Sequence, residues 1–143
     1  MMQDDDHQER RHPPINDVQR LLFELLRQAH YNLLNGTQVV DDLLKWRDLW
    51  YSVLPFRLPY PSDGNGSPRL SVELALLRTT RGNQWPVDSV YIWTQDDTVE
   101  QLHRLIEERW QASDIGVLTP DAQEMTFANL RASYDRVLFV WWD

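Results

Sequence analysis

The chain of 143 residues contains no cysteine, which excludes disulfide bonds, thiol nucleophiles and cysteine-ligated zinc. Lysine is almost missing too: Lys45 is the only one, and the other basic residues are arginines. Positive charge is scarce overall, with 14 Lys and Arg against 22 Asp and Glu and a net charge of −8. The imbalance grows along the chain, from ten acids against eight bases over 1–69 to twelve against six over 70–143. Binding nucleic acid by phosphate neutralisation needs clustered Lys and Arg, and no such cluster exists, so direct nucleic-acid binding is not expected. No apolar run approaches the roughly 20 residues that span a bilayer, so no membrane partner is expected. The first residues, MMQDDD, are acidic and polar, the opposite of a secretory signal. The expectation is an intracellular protein, cytoplasmic or nuclear, whose sequons at Asn35 and Asn65 carry no glycan. Glycine is also sparse, at five residues. The Gly64–Asn65–Gly66–Ser67 stretch lacks the following Lys and the strand-to-helix setting of a phosphate loop.

What is present is a globular composition, 42% apolar and 25% charged. Residues 1–12 are polar and aperiodic and read as a disordered tail. Pro13–Pro14 follows, and Asn16 or Asp17 can cap a helix. Val18, Leu21, Leu22, Leu25, Leu26, Ala29, Leu33 and Leu34 recur at helical spacing to residue 34. Asn35–Gly36 is expected to end that helix through a left-handed exit, and Thr37 to cap the next, with Asp41 and Asp42 near its positive end. Val39, Leu43, Trp46, Trp50 and Val53 form a second stripe, stopped by Pro55 and Pro59. The expectation over 13–60 is a helical hairpin. Turn chemistry over 61–69 (PSDGNGSPR) marks a linker.

Beyond residue 70 the period changes. Alternation over 71–78, a turn at Arg81–Gly82–Asn83 and the run SVYIWT over 89–94 predict a β-hairpin. Asp97 with Glu100 makes a capping-box pattern ahead of an apolar helical face of Val99, Leu102, Ile106 and Trp110. Asp114–Ile115–Gly116 leaves that helix, a short strand is expected over 124–127, and RVLFVWW over 136–142 is a terminal strand. Both faces of that strand are apolar, which predicts a place inside the sheet.

Two motifs in this half carry a resemblance. Asp97–Thr98–Val99–Glu100–Gln101–Leu102 resembles the start of the ubiquitin helix, with Ile106 where a further core residue falls. Pro120–Asp121–Ala122–Gln123–Glu124–Met125–Thr126–Phe127–Ala128 resembles the segment that enters the third ubiquitin strand. The resemblance covers about 70–143. It implies an α+β chain: the N-terminal helical hairpin followed by a ubiquitin-like β-grasp domain (ββαββ) with a mixed sheet. The departures are a longer first hairpin, a longer connection after the helix, and Thr126 where ubiquitin has an apolar residue of its best-known binding surface. The final residues, Val140–Trp141–Trp142–Asp143, replace a Gly-Gly tail, so conjugation is not expected.

Catalytic chemistry finds little support in the residues. His103 and Glu107 are four apart on one helix, which suits an acid–base pair or half a metal site but equally an exposed helical pair. His30 and Glu24 lack metal-binding spacing, and His7 and His12 lie in the tail. Asp96–Asp97 lacks the ligand spacing of a calcium loop, and no Gly-flanked nucleophile elbow occurs. No catalytic, metal or cofactor residue is assigned. The seven tryptophans weigh more. The sheet face away from the domain's own helix carries Ala75, Leu77, Tyr91 and Trp93, too apolar to be left bare. Either the stripe of Leu43, Trp46 and Trp50 covers it or a partner does. Trp46, Trp50, Leu77, Tyr91 and Trp93 are therefore the partner-binding candidates. The expected function is a protein–protein adaptor or scaffold subunit whose acidic charge favours basic partners. The runner-up is a small acidic inhibitor or immunity-type protein, and a third reading is a small hydrolase organised around His103.

Overall fold

The computed structural model describes residues 14–56, 85–118 and 134–143. The expected tail over 1–12, the linker over 61–69 and the strands over 71–78 and 124–127, with Ala75, Leu77 and Thr126, lie outside the described residues.

Helix α1 spans Asp17–Arg27 and begins as its sequence indicates, the Asn16 side chain accepting from the Gln19 amide at 2.8 Å. It ends about two turns sooner than the apolar spacing predicts. Gln28 folds its amide back onto Leu25 and Leu26, Asn32 takes a positive φ of 55°, and Ala29 and Leu34 are buried from a loop. Helix α2 spans Gly36–Lys45, and its cap is Asn35, accepting from the Gln38 amide at 3.1 Å, not Thr37. Gly36 is therefore the first helical residue and not a left-handed exit. It is needed because two backbones nearly touch: its amide donates to Ala29 O at 2.8 Å, and a Cβ here would lie 1.7 Å from Leu26 O.

The second helix does not run on to Pro55. It gives way to a 3₁₀ turn at Arg47–Leu49, Trp50 is fully extended, and Ser52–Phe56 is strand β1. Tertiary bonds override the helical spacing of Trp50 and Val53. The Trp50 indole donates back to Leu43 O at 2.7 Å, and the chain from Ser52 onward finds a ladder partner. Pro55 is compatible with β1 because that strand is an edge of the described sheet.

The sheet continues with β2 (Ser89–Gln95), β3 (Asp114–Val117) and β4 (Asp135–Trp141), in the order β1-β2-β4-β3. Helix α3 (Val99–Arg109) follows β2. Strand β4 is central, as its two apolar faces predict. Four expectations are corrected. The partner of β2 in the hairpin position is β1, through Val53 opposite Ile92, while its other edge holds β4. Every pairing in the described sheet is antiparallel, so it lacks the parallel pair of a mixed sheet. Asp114–Ile115–Gly116 is not an exit loop but part of β3, with Gly116 opposite Phe139. Nor does Asp97 cap α3. Thr98 occupies that position with no side-chain cap bond, its hydroxyl lying 2.9 Å from that of Thr94.

The three described α-helices share one core with one face of the sheet. Phe23, Leu26, Val40, Leu43, Leu102 and Ile106 pack with Val53, Val90, Ile92, Leu138 and Val140. Each such side chain contributes roughly 1.5–3 kcal/mol when fully buried. Trp46 stacks on Trp110 at 5.6 Å and Trp110 on Trp142 at 6.0 Å, joining α2, α3 and the end of β4. Asp42, 4% exposed, anchors this stack by accepting from Trp110 Nε1 at 3.0 Å and from Arg109 Nε and Nη2 at 2.9 Å. A buried carboxylate is tolerable only with such compensation. In return, the hydrogen bonds and charge of Asp42 hold the Arg109 guanidinium above its ordinary range. Residues on either side of 61–69 therefore build a single core.

Candidate functional site

The pleat sends alternate residues of β2 and β4 to opposite faces. Val90, Ile92, Leu138 and Val140 point to the helices. Tyr91 and Trp93 point the other way, opposite Phe139 and Val137 respectively, with Trp141 and Leu54 on the same side. Tyr91 and Phe139 rings lie 5.2 Å apart, and the Tyr51 ring lies 5.1 Å from Trp93. Tyr91, Trp93, Phe139 and Trp141 are half-buried, Leu54 is 38% exposed, and Val137 between them is buried. Burial, and secondarily the charge of Asp88, pushes the Tyr91 phenol above its ordinary range, so it stays neutral and can donate a hydrogen bond.

This arrangement divides the candidates. Trp46 and Trp50 belong to the helix-side core, 9% and 2% exposed, with Trp50 edge-on to Phe23 at 5.6 Å. Tyr91 and Trp93 stand on the far face, and Leu77 lies outside the described residues. The expected packing of Leu43, Trp46 and Trp50 against Tyr91 and Trp93 is therefore overturned. Strand β1 follows α2 through one short turn, so α2 is held on the face to which Val53 points. Phe139 and Trp141 were legible only as one side of a strand apolar on both. Leu54 gave no signal, because its segment reads as helix.

His103 lies half-buried on α3, its Nδ1 3.9 Å from Glu107 Oε2. It borders a shallow cavity of about 420 Å³ with Val99, Glu100, Arg104 and Val117. Among the described residues, that lining offers no hydroxyl or thiol to attack a substrate. Among the described residues, no group of three His, Cys, Asp or Glu is placed to hold a metal ion. Asp96 is answered by Arg136 at 3.2 Å, and Asp97 is exposed. No helix among the described residues is long and apolar enough to cross a membrane.

One contact that sequence reasoning missed limits where a partner can approach. Gln19, buried on α1, donates to Val53 O at 2.9 Å and accepts from Val53 N at 2.8 Å. Its carboxamide occupies the outer edge of β1 as a neighbouring strand would, which blocks strand addition there. A lone glutamine on a helix carries no sequence sign of this role. Comparison with known proteins finds no matching family model, no matching curated protein and no matching solved structure.

Proposed function

We propose that this protein is a non-catalytic, intracellular protein–protein interaction adaptor or scaffold subunit. It presents the sheet face of Tyr91, Trp93, Phe139 and Trp141 to a protein partner. The observation that carries the reading is that four large aromatic side chains on this face stay half-buried while the alternate residues of the same strands are fully buried. Tyr, Trp and Phe are the residues over-represented at the centres of protein interfaces, because they bury large areas at little conformational cost. The net charge of −8 favours basic partners and speeds their encounter.

The resemblance to ubiquitin supports the same reading by analogy, through the order of strand, capped helix and terminal strand. The antiparallel neighbours on both edges of β2 and β4 weigh against a full β-grasp sheet. The adaptor reading does not depend on one. A small acidic inhibitor would use the same face and the same charge, and differs in having one partner whose activity it blocks.

The test is affinity purification from the native source followed by mass spectrometry, on the wild type and on Tyr91→Ala/Phe139→Ala. An adaptor brings down several subunits, and the variant loses them while remaining folded. A single stoichiometric partner with a blocked activity would move the reading to the inhibitor. A variant that keeps every partner would overturn both.

A further inference from the structure

The two edges of the described sheet are finished differently. On β1 the backbone of Val53 turns outward, and Gln19 takes both its amide and its carbonyl. Pro55, two residues on, turns the same way and has no N–H to offer. On β3 the phase of the ladder is set by Leu118 N, which donates to Val137 O at 3.0 Å. Gly116 therefore turns its amide and carbonyl toward Phe139, while Ile115 and Val117 turn theirs away from β4. Among the described residues nothing answers these outward groups. One edge is closed and the other is open.

A groove beside the open edge is the second, independent observation. The cavity of about 420 Å³ lies between β3 and α3. Val99 and Val117 give it an apolar part, and Glu100, His103 and Arg104 a polar rim. Val117 is 48% exposed, and it shares the helix side of β3 with Ile115, which packs against the core. In an added strand, the residue directly opposite Val117 projects to that same side and so into the groove.

We propose that the β3 edge takes up an extended segment of the protein partner as an added antiparallel strand, with an aliphatic side chain seated between β3 and α3. The inference rests on the adaptor reading and gives it a second contact. The open groups of Ile115 and Val117 are spaced for another backbone, and main-chain bonds supply affinity in this mode while the groove selects the side chain. An antiparallel strand matches the other pairings of the described sheet and bonds slightly better per residue than a parallel one. Asp114, exposed on the opposite side of β3, then faces the partner residue three positions after the aliphatic one, which suits arginine. A second copy of this chain fits less well, because each carries a net charge of −8.

The experiment titrates the full-length protein with the peptide acetyl-Thr-Thr-Val-Thr-Thr-Arg-Thr-amide and follows amide NMR signals and hydrogen exchange. In the free protein the Ile115 and Val117 amides should exchange fast and that of Gly116 slowly. Saturating peptide should slow the first two. N-methylation of the peptide valine removes the amide that faces Val117 O and should weaken binding about tenfold or more, the equivalent of one backbone hydrogen bond. N-methylation of the next threonine, whose amide faces away, should change it less than about twofold. Replacing the peptide valine by aspartate should also cost about tenfold. Val117→Pro removes an outward amide, leaves the bonds to β4 in place and should weaken binding by a similar factor. Should that variant fail to fold, the two methylated peptides decide alone. Non-saturating shifts, equal losses from both methylations, or slow exchange of Ile115 and Val117 in the free protein would overturn the proposal. Slow exchange there would mean that this chain or a second copy already fills the edge. Loss of partners in Tyr91→Ala/Phe139→Ala without peptide binding removes only the edge contact. Peptide binding with all partners retained in that variant removes the aromatic face.

Discussion

On the helix side of the sheet, three buried indoles have their N–H groups answered. Trp50 donates to Leu43 O, Trp110 to Asp42 and Trp142 to Trp110 O at 2.8 Å. Around them Val90, Ile92, Leu138 and Val140 show no exposure at all. On the far side, one residue away along the same strands, Tyr91, Trp93, Phe139 and Trp141 stay half-buried. Residue type does not separate the two faces, since tryptophans occupy both. What separates them is the short turn from α2 into β1, which commits the helices to one side. Aromatic residues on the first face are packed into the core, and on the second they are half-buried.

The comparison breaks most severely at Gly36. A methyl group there meets Leu26 O at 1.7 Å, and the obstacle is backbone on both sides. Gly36→Ala should therefore cost about 4 kcal/mol or more, or prevent folding, as read by urea denaturation. A loss under about 1 kcal/mol would mean that α1 and α2 can separate without disturbing the core. Next comes Asp42→Ala, which strands the buried Trp110 N–H and should cost about 2 kcal/mol. Asp42→Asn keeps an acceptor for Trp110 and should cost less. A double-mutant cycle with Arg109→Ala should show coupling, because the two side chains share two hydrogen bonds.

Far-face substitutions should be milder. Phe139→Ala, half-buried, should cost about 1–2 kcal/mol, whereas Ile92→Ala on the helix side should cost about 2–5 kcal/mol. Equal losses would erase the distinction between the faces. The smallest effect is alkaline. The Tyr91 phenol titrates above its ordinary value in the folded chain, so above about pH 10 the unfolded chain binds fewer protons than the folded one. Stability should thus fall as pH rises through that range, and Tyr91→Phe should remove part of the decline in a series of thermal melts. The partial exposure of Tyr91 keeps this contribution small.

Much of the fold was legible where local chemistry and tertiary packing agree. The Asn16 cap, strand β2, helix α3 and the central place of β4 follow from side-chain acceptors, alternation, helical spacing and a strand apolar on both faces. Legibility failed where a long-range bond decides. Trp46, Trp50 and Val53 keep helical spacing, yet the Trp50 indole bond to Leu43 O and the Val53 pairing with Ile92 turn that segment into an extended strand. Strand β3 is four residues with a glycine at Gly116, and only its ladder with β4 makes it a strand. For the candidate site, Tyr91 and Trp93 were legible as sharing a face. That Trp46 and Trp50 lie on the other side was not, because both sheet faces are equally apolar in sequence.

Hydroxyl-radical footprinting of the protein, free and bound to its purified partner, tests the account most directly, because it reports each aromatic side chain separately. The account predicts that Tyr91, Trp93, Phe139 and Trp141 are oxidised in the free protein and protected together in the complex, with Trp46, Trp110 and Trp142 labelled poorly in both. Protection confined to other surfaces, with the far-face aromatics equally oxidised in both states, would contradict it.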